Sequence, residues 1–234
     1  SSIKYQLIDP AQDAPLAVGL VQRIGQDGST IDHEVGDQEY RDEQRFADHT
    51  EAVARVVRMF REHGPSLDNV AAVGHRTVHG GSTFVESTLI TDEVIAKLEE
   101  LSGLAPLHNP PGIAGIRAAQ EVLPDVPHVA VFDTAFFSTL PAEAYTYAID
   151  RQVAERYGVR KYGFHGTSHS YVSKQAAEFL GRDYGEVKQI VCHLGNGASI
   201  SAIDGGVAVD TSMGLTPVEG LVMGTRSGDV DPGL

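Results

Sequence analysis

Two arginines in the sequence lie in settings that suit the binding of an anion. Arg76 stands in the string HRTVHGG, residues 75–81, at the end of an apolar run that predicts a buried strand. Arg226 stands in the string GTRSG, where the flanking glycines predict a flexible loop. A guanidinium is planar and presents paired N–H donors to carboxylate or phosphate oxygens. Both arginines are therefore candidates for binding such a group; the alternatives are a structural ion pair for Arg76 and a solvated loop side chain for Arg226.

An acidic side chain follows a second apolar run. Asp133 comes directly after residues 126–132, which also predict a buried strand. Open α/β sheets bind their ligands at the carboxyl ends of strands, and a carboxylate there could hold Mg²⁺ directly or through water. The alternative is that Asp133 caps a helix or turn.

Two glycine-rich segments are candidates for contact with phosphate oxygens. His165 lies in the string GFHGTSH just before a predicted helix, whose first N–H groups point outward towards an anion. The string HLGNG, residues 193–197, predicts a turn whose backbone N–H groups are open to a phosphate, or else a plain hairpin. A zinc site at His165 and His169 is disfavoured, because no cysteine or acid lies nearby in the sequence to complete the ligand set.

The composition favours an anionic small substrate over a nucleic acid. The 32 acidic and 18 basic residues give a net charge of −14, which opposes general nucleic-acid binding. A cleft needs only a few well-placed cations, and the residues above suit phosphoryl transfer, which depends on positioned positive charge. The sequence has one cysteine, no membrane-length apolar run and no signal-peptide pattern, so we expect a soluble cytoplasmic protein.

The elements that must position these residues alternate between helices and strands. The clearest helix is predicted over residues 48–63, where Asp48 and Glu51 have the spacing of a capping box. Further helices are predicted over residues 91–101, from residue 109 onward, and from residue 167 or 168 to 180. Strands are predicted over residues 3–8, 16–24, 70–78, 126–132, 189–194, 198–203 and 207–210. This alternation predicts an α/β protein with two similar halves.

Six strings of the sequence carry a resemblance to a known family. In chain order, the opening SSIKYQL and the strings HRTVHGG, FDTAF, KYGFHGTSH, CHLGNGASI and PVEGLVMGTRSGD resemble acetate kinases. The resemblance implies an α/β fold of two ribonuclease H-like (actin-like ATPase) domains flanking a nucleotide cleft. Residues 1–135 would be the N-terminal domain without its first strand, and residues 136–234 the first part of the C-terminal nucleotide-binding domain. The family's adenosine-binding loop and a late catalytic glutamate would follow residue 234.

The same resemblance implies an enzyme and its reaction. The expected activity is a reversible transfer of the γ-phosphoryl group of ATP to acetate, which gives acetyl phosphate and ADP by direct in-line transfer, as in acetyl-CoA biosynthesis. The reaction would depend on Mg²⁺ or Mn²⁺, in a cytoplasmic homodimer that binds neither nucleic acid nor membrane. Two alternatives stay open: a propionate or butyrate kinase, which shares these motifs, and a truncated subunit without catalytic activity.

Matching the motifs residue by residue implies three sets of site residues. The catalytic set is Arg76, Asp133, His165 and Arg226, and Asp133 would also place the metal ion. The acetate-binding set is Arg76, Val78, Leu107, His108, Phe164 and Pro217. The nucleotide-binding set is Ser2, Lys4, His193, Leu194, Gly195, Asn196 and Gly197.

Overall fold

A computed structural model describes residues 1–12, 14–106, 108–231 and 233 of the chain. The chain forms two compact units: the first comprises residues 1–73 and 110–128, and the second comprises residues 74–109 and 129–234. These units differ from the division predicted at residue 135. That division concerns the domains of the family and stays a prediction.

Strands and helices alternate, as expected for an α/β protein. The strands are β1 (Ile3–Leu7), β2 (Ala17–Gln22), β3 (Thr30–Val35), β4 (Gln38–Glu43), β5 (Val73–Thr77), β6 (Thr88–Leu89), β7 (His128–Phe132), β8 (Lys188–Leu194), β9 (Ala198–Asp204) and β10 (Val207–Thr211). The helices are α1 (His49–His63), α2 (Asp92–Glu100), α3 (Asn109–Val122), α4 (Ala142–Tyr145), α5 (Arg151–Tyr157) and α6 (Gly166–Phe179). In the part of the chain described above, no helix is long and apolar enough to cross a membrane.

The first unit is built on an antiparallel sheet with the order β1-β2-β3-β4. Its core joins apolar residues of β2 and β3, such as Val21 and Ile31, to the apolar stripe of α1, which includes Met59 and Phe60. Helix α1 begins as predicted, because the Asp48 carboxylate accepts a hydrogen bond from the Glu51 N–H at 2.9 Å.

In the second unit, two neighbouring strands carry predicted site residues at one edge of a sheet. This sheet has the order β5-β7-β6. The Asp133 N–H donates to the Thr77 carbonyl at 2.9 Å, which extends the pairing just beyond the ends of β5 and β7. Arg76 near the end of β5 and Asp133 after β7 therefore lie side by side.

A second sheet in the same unit supports the helix that follows His165. It is an antiparallel meander with the order β10-β9-β8. Alternate residues of β9, including Ser199 and Ser201, are buried on the side that faces α6. The other face carries exposed apolar side chains, with Ile190 69% and Leu194 76% exposed on β8. Within the described residues, β8 pairs with a strand on one side only.

Several elements differ from those predicted. The hairpin of β3 and β4 was not predicted, because strongly charged sequences such as QEYRDE give no apolar alternation. The short helices α4 and α5 and the two-residue strand β6 were also missed. Helix α6 begins at Gly166, earlier than the predicted cap at residue 167 or 168, because the Gly166 N–H donates to the Asp133 carbonyl at 2.9 Å.

Gly166 is predicted to be intolerant of a side chain. A Cβ atom there would lie 2.3 Å from the backbone oxygen of Asp133, which cannot move without displacing the site. We expect Gly166→Ala to lower the free energy of unfolding by about 1–3 kcal/mol, the usual range for overpacking. Urea denaturation followed by circular dichroism measures the change.

Gly115 provides the matched control for this substitution. It lies inside α3, and a Cβ atom there meets nothing within 4 Å. Since alanine is the better helix former, Gly115→Ala should raise the free energy of unfolding by up to about 1 kcal/mol. Equal effects of the two substitutions would contradict the close contact at Gly166.

Candidate active site

An ion pair joins the ends of β5 and β7. Arg76 Nε donates to Asp133 Oδ1 at 3.0 Å and Nη2 donates to Oδ2 at 2.6 Å. The Asp133 side chain is only 2% exposed, whereas the Arg76 side chain is 65% exposed. Hydrogen bonding to Asp133 raises the pKa of Arg76. The buried carboxylate thus fixes the orientation of an accessible guanidinium.

His165 is held next to this pair by an unusual backbone conformation. Its φ angle is +61°, in the left-handed region that residues with a side chain rarely adopt. The following residue, Gly166, donates its N–H to the Asp133 carbonyl, so α6 starts directly at the end of β7. Strained backbone of this kind costs of order 1–3 kcal/mol and clusters at functional sites.

The imidazole of His165 has partners on two sides. Its Nδ1 lies 2.9 Å from Ser199 Oγ on β9. Its ring stacks on His193, with ring centroids 4.0 Å apart, and His193 Nδ1 lies 2.9 Å from Ser168 Oγ. These contacts fix the ring and leave Nε2 to face the glycine-rich turn.

Gly197 allows two functional groups to approach the turn. A Cβ atom at Gly197 would lie 3.0 Å from the His165 ring and 3.3 Å from Nη1 of Arg226. The turn itself is closed by the Gly195 N–H, which donates to the Gly197 carbonyl at 3.1 Å. The absence of a side chain at residue 197 therefore lets the imidazole and the guanidinium meet the turn together.

The loop that carries Arg226 is anchored by side chains outside the predicted site. Arg226 Nη1 donates to the Pro217 carbonyl at 2.9 Å. Glu219 of the same loop forms an ion pair with Lys161 at 3.2 Å and accepts a short hydrogen bond from the Tyr147 hydroxyl. That hydroxyl accepts from the Leu215 N–H at 2.8 Å. The loop that carries Arg226 is thus held in place by the contacts of Glu219 and Tyr147.

The segment after β5 is secured by His79 and Asn109. The Asn109 amide bonds both backbone groups of His79, accepting at 3.3 Å and donating at 3.1 Å. His79 is fully buried and packs edge-on against Tyr162 and Phe164. Its Nδ1 accepts from the Gly81 N–H at 3.0 Å, so its proton is on Nε2.

Three buried histidines of the site have strongly lowered pKa values. Burial is the main cause that lowers the pKa of His79, His165 and His169 to about 4 each, and neighbouring histidines contribute to the lowering at His165 and His169. Partial desolvation also lowers the pKa of His108, and the positive charges of Arg226 and Arg76 add to this effect. Since Arg76 is paired with Asp133, the Arg226 guanidinium supplies the net positive charge of this cluster.

The candidate site offers a divalent cation one buried acidic side chain, Asp133, rather than a complete set of protein ligands among the described residues. No group of three or more His, Cys, Asp or Glu side chains among the described residues could hold a metal ion. Both oxygens of Asp133 accept hydrogen bonds from Arg76. Mg²⁺ usually keeps several waters and is held by one or two carboxylates plus substrate phosphates. Asp133 therefore suits a contact through water, and its role in metal binding stays a prediction.

Comparison with known proteins decides the family. The model described as "Acetokinase family" matches residues 1–234. The chain belongs to the acetokinase family. It spans about 60% of the length of the curated relatives that it matches.

Three relatives illustrate the similarity. Over 236 residues the chain is 58% identical to an acetate kinase of Clavibacter michiganensis subsp. michiganensis, covering 100% of this chain and 60% of that protein. The crystal structure of Porphyromonas gingivalis acetate kinase aligns with a TM-score of 0.93 at 49% identity, and that of a propionate kinase from Francisella tularensis subsp. tularensis with 0.93 at 42%. Each alignment covers 100% of this chain and 60% of the solved chain.

Most of the predicted site residues lie in the second unit. Arg76 is held by Asp133, and the His165 ring and Arg226 meet at Gly197, whereas Phe164 is buried against His79. Four further predicted site residues have a described position but no contact that assigns them a role: Val78, His108, Leu194 and Asn196. Ser2 and Lys4 are exposed residues of the first unit. Leu107 lies outside the described residues. The assigned roles stay predictions.

The residues that hold these groups in place were not predicted from the sequence. They are Asn109, Tyr147, Lys161, His169, Ser199, Ser201 and Glu219. Four of them, Lys161, His169, Ser199 and Glu219, lie within the strings KYGFHGTSH, CHLGNGASI and PVEGLVMGTRSGD, but the strings do not indicate their partners. A cavity of about 530 Å³, lined by Tyr145, Tyr147 and Arg160 among others, includes none of the predicted site residues.

The low pKa values predict proton uptake on unfolding. In the unfolded chain, His79, His165 and His169 return to the ordinary pKa of 6.5, against about 4 when folded. Near pH 5.3, unfolding should therefore bind about three protons at these residues. The contribution of these three histidines to the free energy of unfolding is fully present above about pH 6.5 and is lost as the pH decreases towards 4. Calorimetric unfolding in buffers of different ionisation enthalpy measures the uptake.

His169→Asn separates this effect from the titration of carboxylates. The variant lacks one of the three groups, so its proton uptake should be smaller by about one. An unchanged uptake in the variant would show that His169 is already protonated in the folded protein.

Proposed function

We propose that the protein is an acetate kinase, which transfers the γ-phosphoryl group of ATP to acetate and yields acetyl phosphate and ADP reversibly. The observation that carries the proposal is the convergence of Arg226 and the His165 ring on Gly197, where the missing side chain lets both groups approach the glycine-rich turn. Family membership and the names of the Clavibacter and Porphyromonas relatives support acetate as the acceptor.

The reaction needs positioned donors and no proton transfer. Acetate is an anion at neutral pH, and one of its oxygens attacks the γ-phosphorus of ATP. A new O–P bond forms while the bond from the γ-phosphorus to the bridging oxygen breaks, and ADP leaves with the electron pair. Catalysis of such a transfer is mainly positioning and electrostatic stabilisation. Neutral imidazoles with a pKa of about 4 suit hydrogen-bond donation in this reaction.

Each residue then has a role that follows from its surroundings. Arg226 stabilises the negative charge of the transferring phosphoryl group, since the only hydrogen bond of its guanidinium within the described chain goes to a backbone carbonyl. Arg76, oriented by Asp133, binds the carboxylate or the phosphoryl group. By the family resemblance, the turn from His193 to Gly197 binds the ATP phosphates. The same resemblance assigns Val78, Leu107, His108, Phe164 and Pro217 to the acetate.

A divalent cation, Mg²⁺ or Mn²⁺, belongs to this proposal as a companion of the nucleotide. When bound, it screens the negative charge of the phosphates. Asp133 would help to place such a cation, directly or through water, while it also orients Arg76. A cytoplasmic homodimer of two ribonuclease H-like domains per chain completes the proposal, as the family resemblance implies.

Propionate is the second candidate acceptor. The support for it is the alignment with a propionate kinase structure at 42% identity. The two acids differ by one methylene, so the residues around the alkyl end of the acid decide between them.

Arg226→Ala tests the central role of positive charge. In the full-length protein, we expect kcat to fall on the order of 10²–10³-fold, because a donor to the transition state is lost, with a smaller change in KM. A coupled assay of acetate-dependent ADP formation measures both. Arg151→Ala is the matched control, since the Arg151 side chain is 89% exposed and forms an ion pair with the neighbouring Glu155. Near-normal kcat in Arg226→Ala would contradict the assignment, and a wild type without acetate-dependent ADP formation would contradict the proposed function.

Val78→Ala tests the choice of acid. Val78 is half-buried two residues after Arg76, where the alkyl end of a carboxylate held by Arg76 would lie. Removing two methyl groups should improve kcat/KM for propionate relative to acetate, since a methylene in an apolar pocket is worth about 1–3 kcal/mol. The same assay with both acids measures the ratio. An unchanged ratio would place the alkyl pocket elsewhere.

A further inference from the structure

A chain of four side chains runs from the interior of the second unit to His165. We call Ser201, His169, Ser199 and His165 the serine–histidine chain. Ser201 Oγ lies 2.7 Å from His169 Nδ1. Ser199 Oγ lies 2.7 Å from His169 Nε2 and 2.9 Å from His165 Nδ1. His169 and Ser199 are fully buried and Ser201 is 1% exposed, so water does not supply alternative partners.

Ser199 couples the two imidazoles because a hydroxyl has a single hydrogen. Only one of His165 and His169 can accept a hydrogen bond from Ser199, and the other then donates to it. Two orders satisfy all three contacts. In the first, both histidines carry their proton on Nε2 and both serines donate. In the second, both histidines carry their proton on Nδ1, and His169 donates to Ser201.

The far end of the chain distinguishes the two orders. In the second order the Ser201 hydroxyl accepts from His169, and its own hydrogen then needs another acceptor. Among the described residues Ser201 Oγ has no hydrogen-bonded partner besides His169. A buried donor without an acceptor costs about 1–3 kcal/mol. In the first order both serine hydrogens and the His169 Nε2–H have acceptors within the chain, and the one donor left over is the Nε2–H of the partly exposed His165. That order is favoured because it leaves no buried hydroxyl hydrogen without an acceptor.

We propose that Ser199, supported by His169 and Ser201, is a positioning residue that keeps the proton of His165 on Nε2. His165 Nε2 then presents an N–H donor towards Gly197 and Arg226. In the opposite tautomer Nε2 would present a lone pair and repel a phosphoryl oxygen. The use of this donor in phosphoryl transfer rests on the proposed function, whereas the position of the proton does not.

The neutral state of the ring agrees with this arrangement. Burial lowers the pKa of both His165 and His169 to about 4, so each ring carries one proton at pH 7 and has a defined tautomer. His193 stacks on His165 but bonds Ser168 and takes no part in the chain. The direction of the chain thus depends on the two buried serines.

Nuclear magnetic resonance tests the tautomer directly. Two-bond ¹H–¹⁵N spectra of histidine-labelled protein at pH 7 report which ring nitrogen carries the proton. In the 234-residue chain we expect Nε2–H at both His165 and His169, with both Nδ1 atoms shifted as hydrogen-bond acceptors. A proton on Nδ1 of His165 would overturn the proposal. This outcome is independent of enzymatic activity, so it is distinct from a failure of the proposed function.

Three variants test the direction of the chain. In Ser199→Ala, the ¹⁵N resonance of His165 Nδ1 should move to the chemical shift of a ring nitrogen that accepts no hydrogen bond. In Ser201→Ala, only the ¹⁵N resonance of His169 Nδ1 should move. Ser173→Ala is the matched control, since Ser173 is equally buried on α6 but bonds Tyr184, and both resonances should stay. An unchanged His165 Nδ1 in Ser199→Ala would overturn the proposal, even if other variants fail to fold.

Kinetics of the full-length protein separate positioning from stability. Ser199→Ala should lower kcat by on the order of tenfold, as losses of orienting groups do, with KM for acetate little changed. Ser199→Thr keeps the hydroxyl and should restore kcat. Ser199→Thr could have the wild-type His165 spectrum and still not restore kcat. That result would overturn the role of the hydroxyl in positioning.

Discussion

The contact between the Gly166 N–H and the Asp133 carbonyl is the constraint on which the candidate site depends. It brings the start of α6 to the end of β7 at a separation that leaves no space for a side chain. On one side of this contact, Asp133 orients Arg76. On the other side, His165 takes its left-handed conformation and turns its ring towards β9. Arg76 and His165, which are 89 residues apart in the sequence, are therefore both positioned by this one contact.

The candidate site contains several hydrogen-bond donors but little net positive charge. Asp133 balances the charge of Arg76, and burial lowers the pKa of His165 and His169 to about 4, so Arg226 remains as a cation bonded to a backbone carbonyl. An unpaired buried charge is expensive, and neutral imidazoles provide hydrogen-bond donors without that cost. A protein of net charge −14 can thus attract an anion locally with very few cations.

The fold was predictable where the signal is local. Helix α1 has its cap and apolar stripe within 16 residues, and β7 is a short apolar run, so both were predicted. The β3–β4 hairpin was not, because β3 is stabilised by pairing with β2, and the largely exposed, charged β4 by pairing with β3, so neither strand has a local apolar pattern. In the site, reactive residue types such as Arg76 and His165 stood out. Their supports, such as Ser199, are ordinary residues whose importance comes from distant partners that no local pattern reveals.

The outer face of β8 has a consequence for handling the protein. A strand paired on one side only presents a row of free backbone groups, and here it also carries Ile190 and Leu194 towards solvent. Such an edge is a template for strand addition by a second chain. Cys192 lies on the same face and is exposed. If two chains paired along β8 in the antiparallel register that sets Cys192 opposite Cys192, an oxidising buffer would let a disulfide turn a reversible association into a covalent dimer.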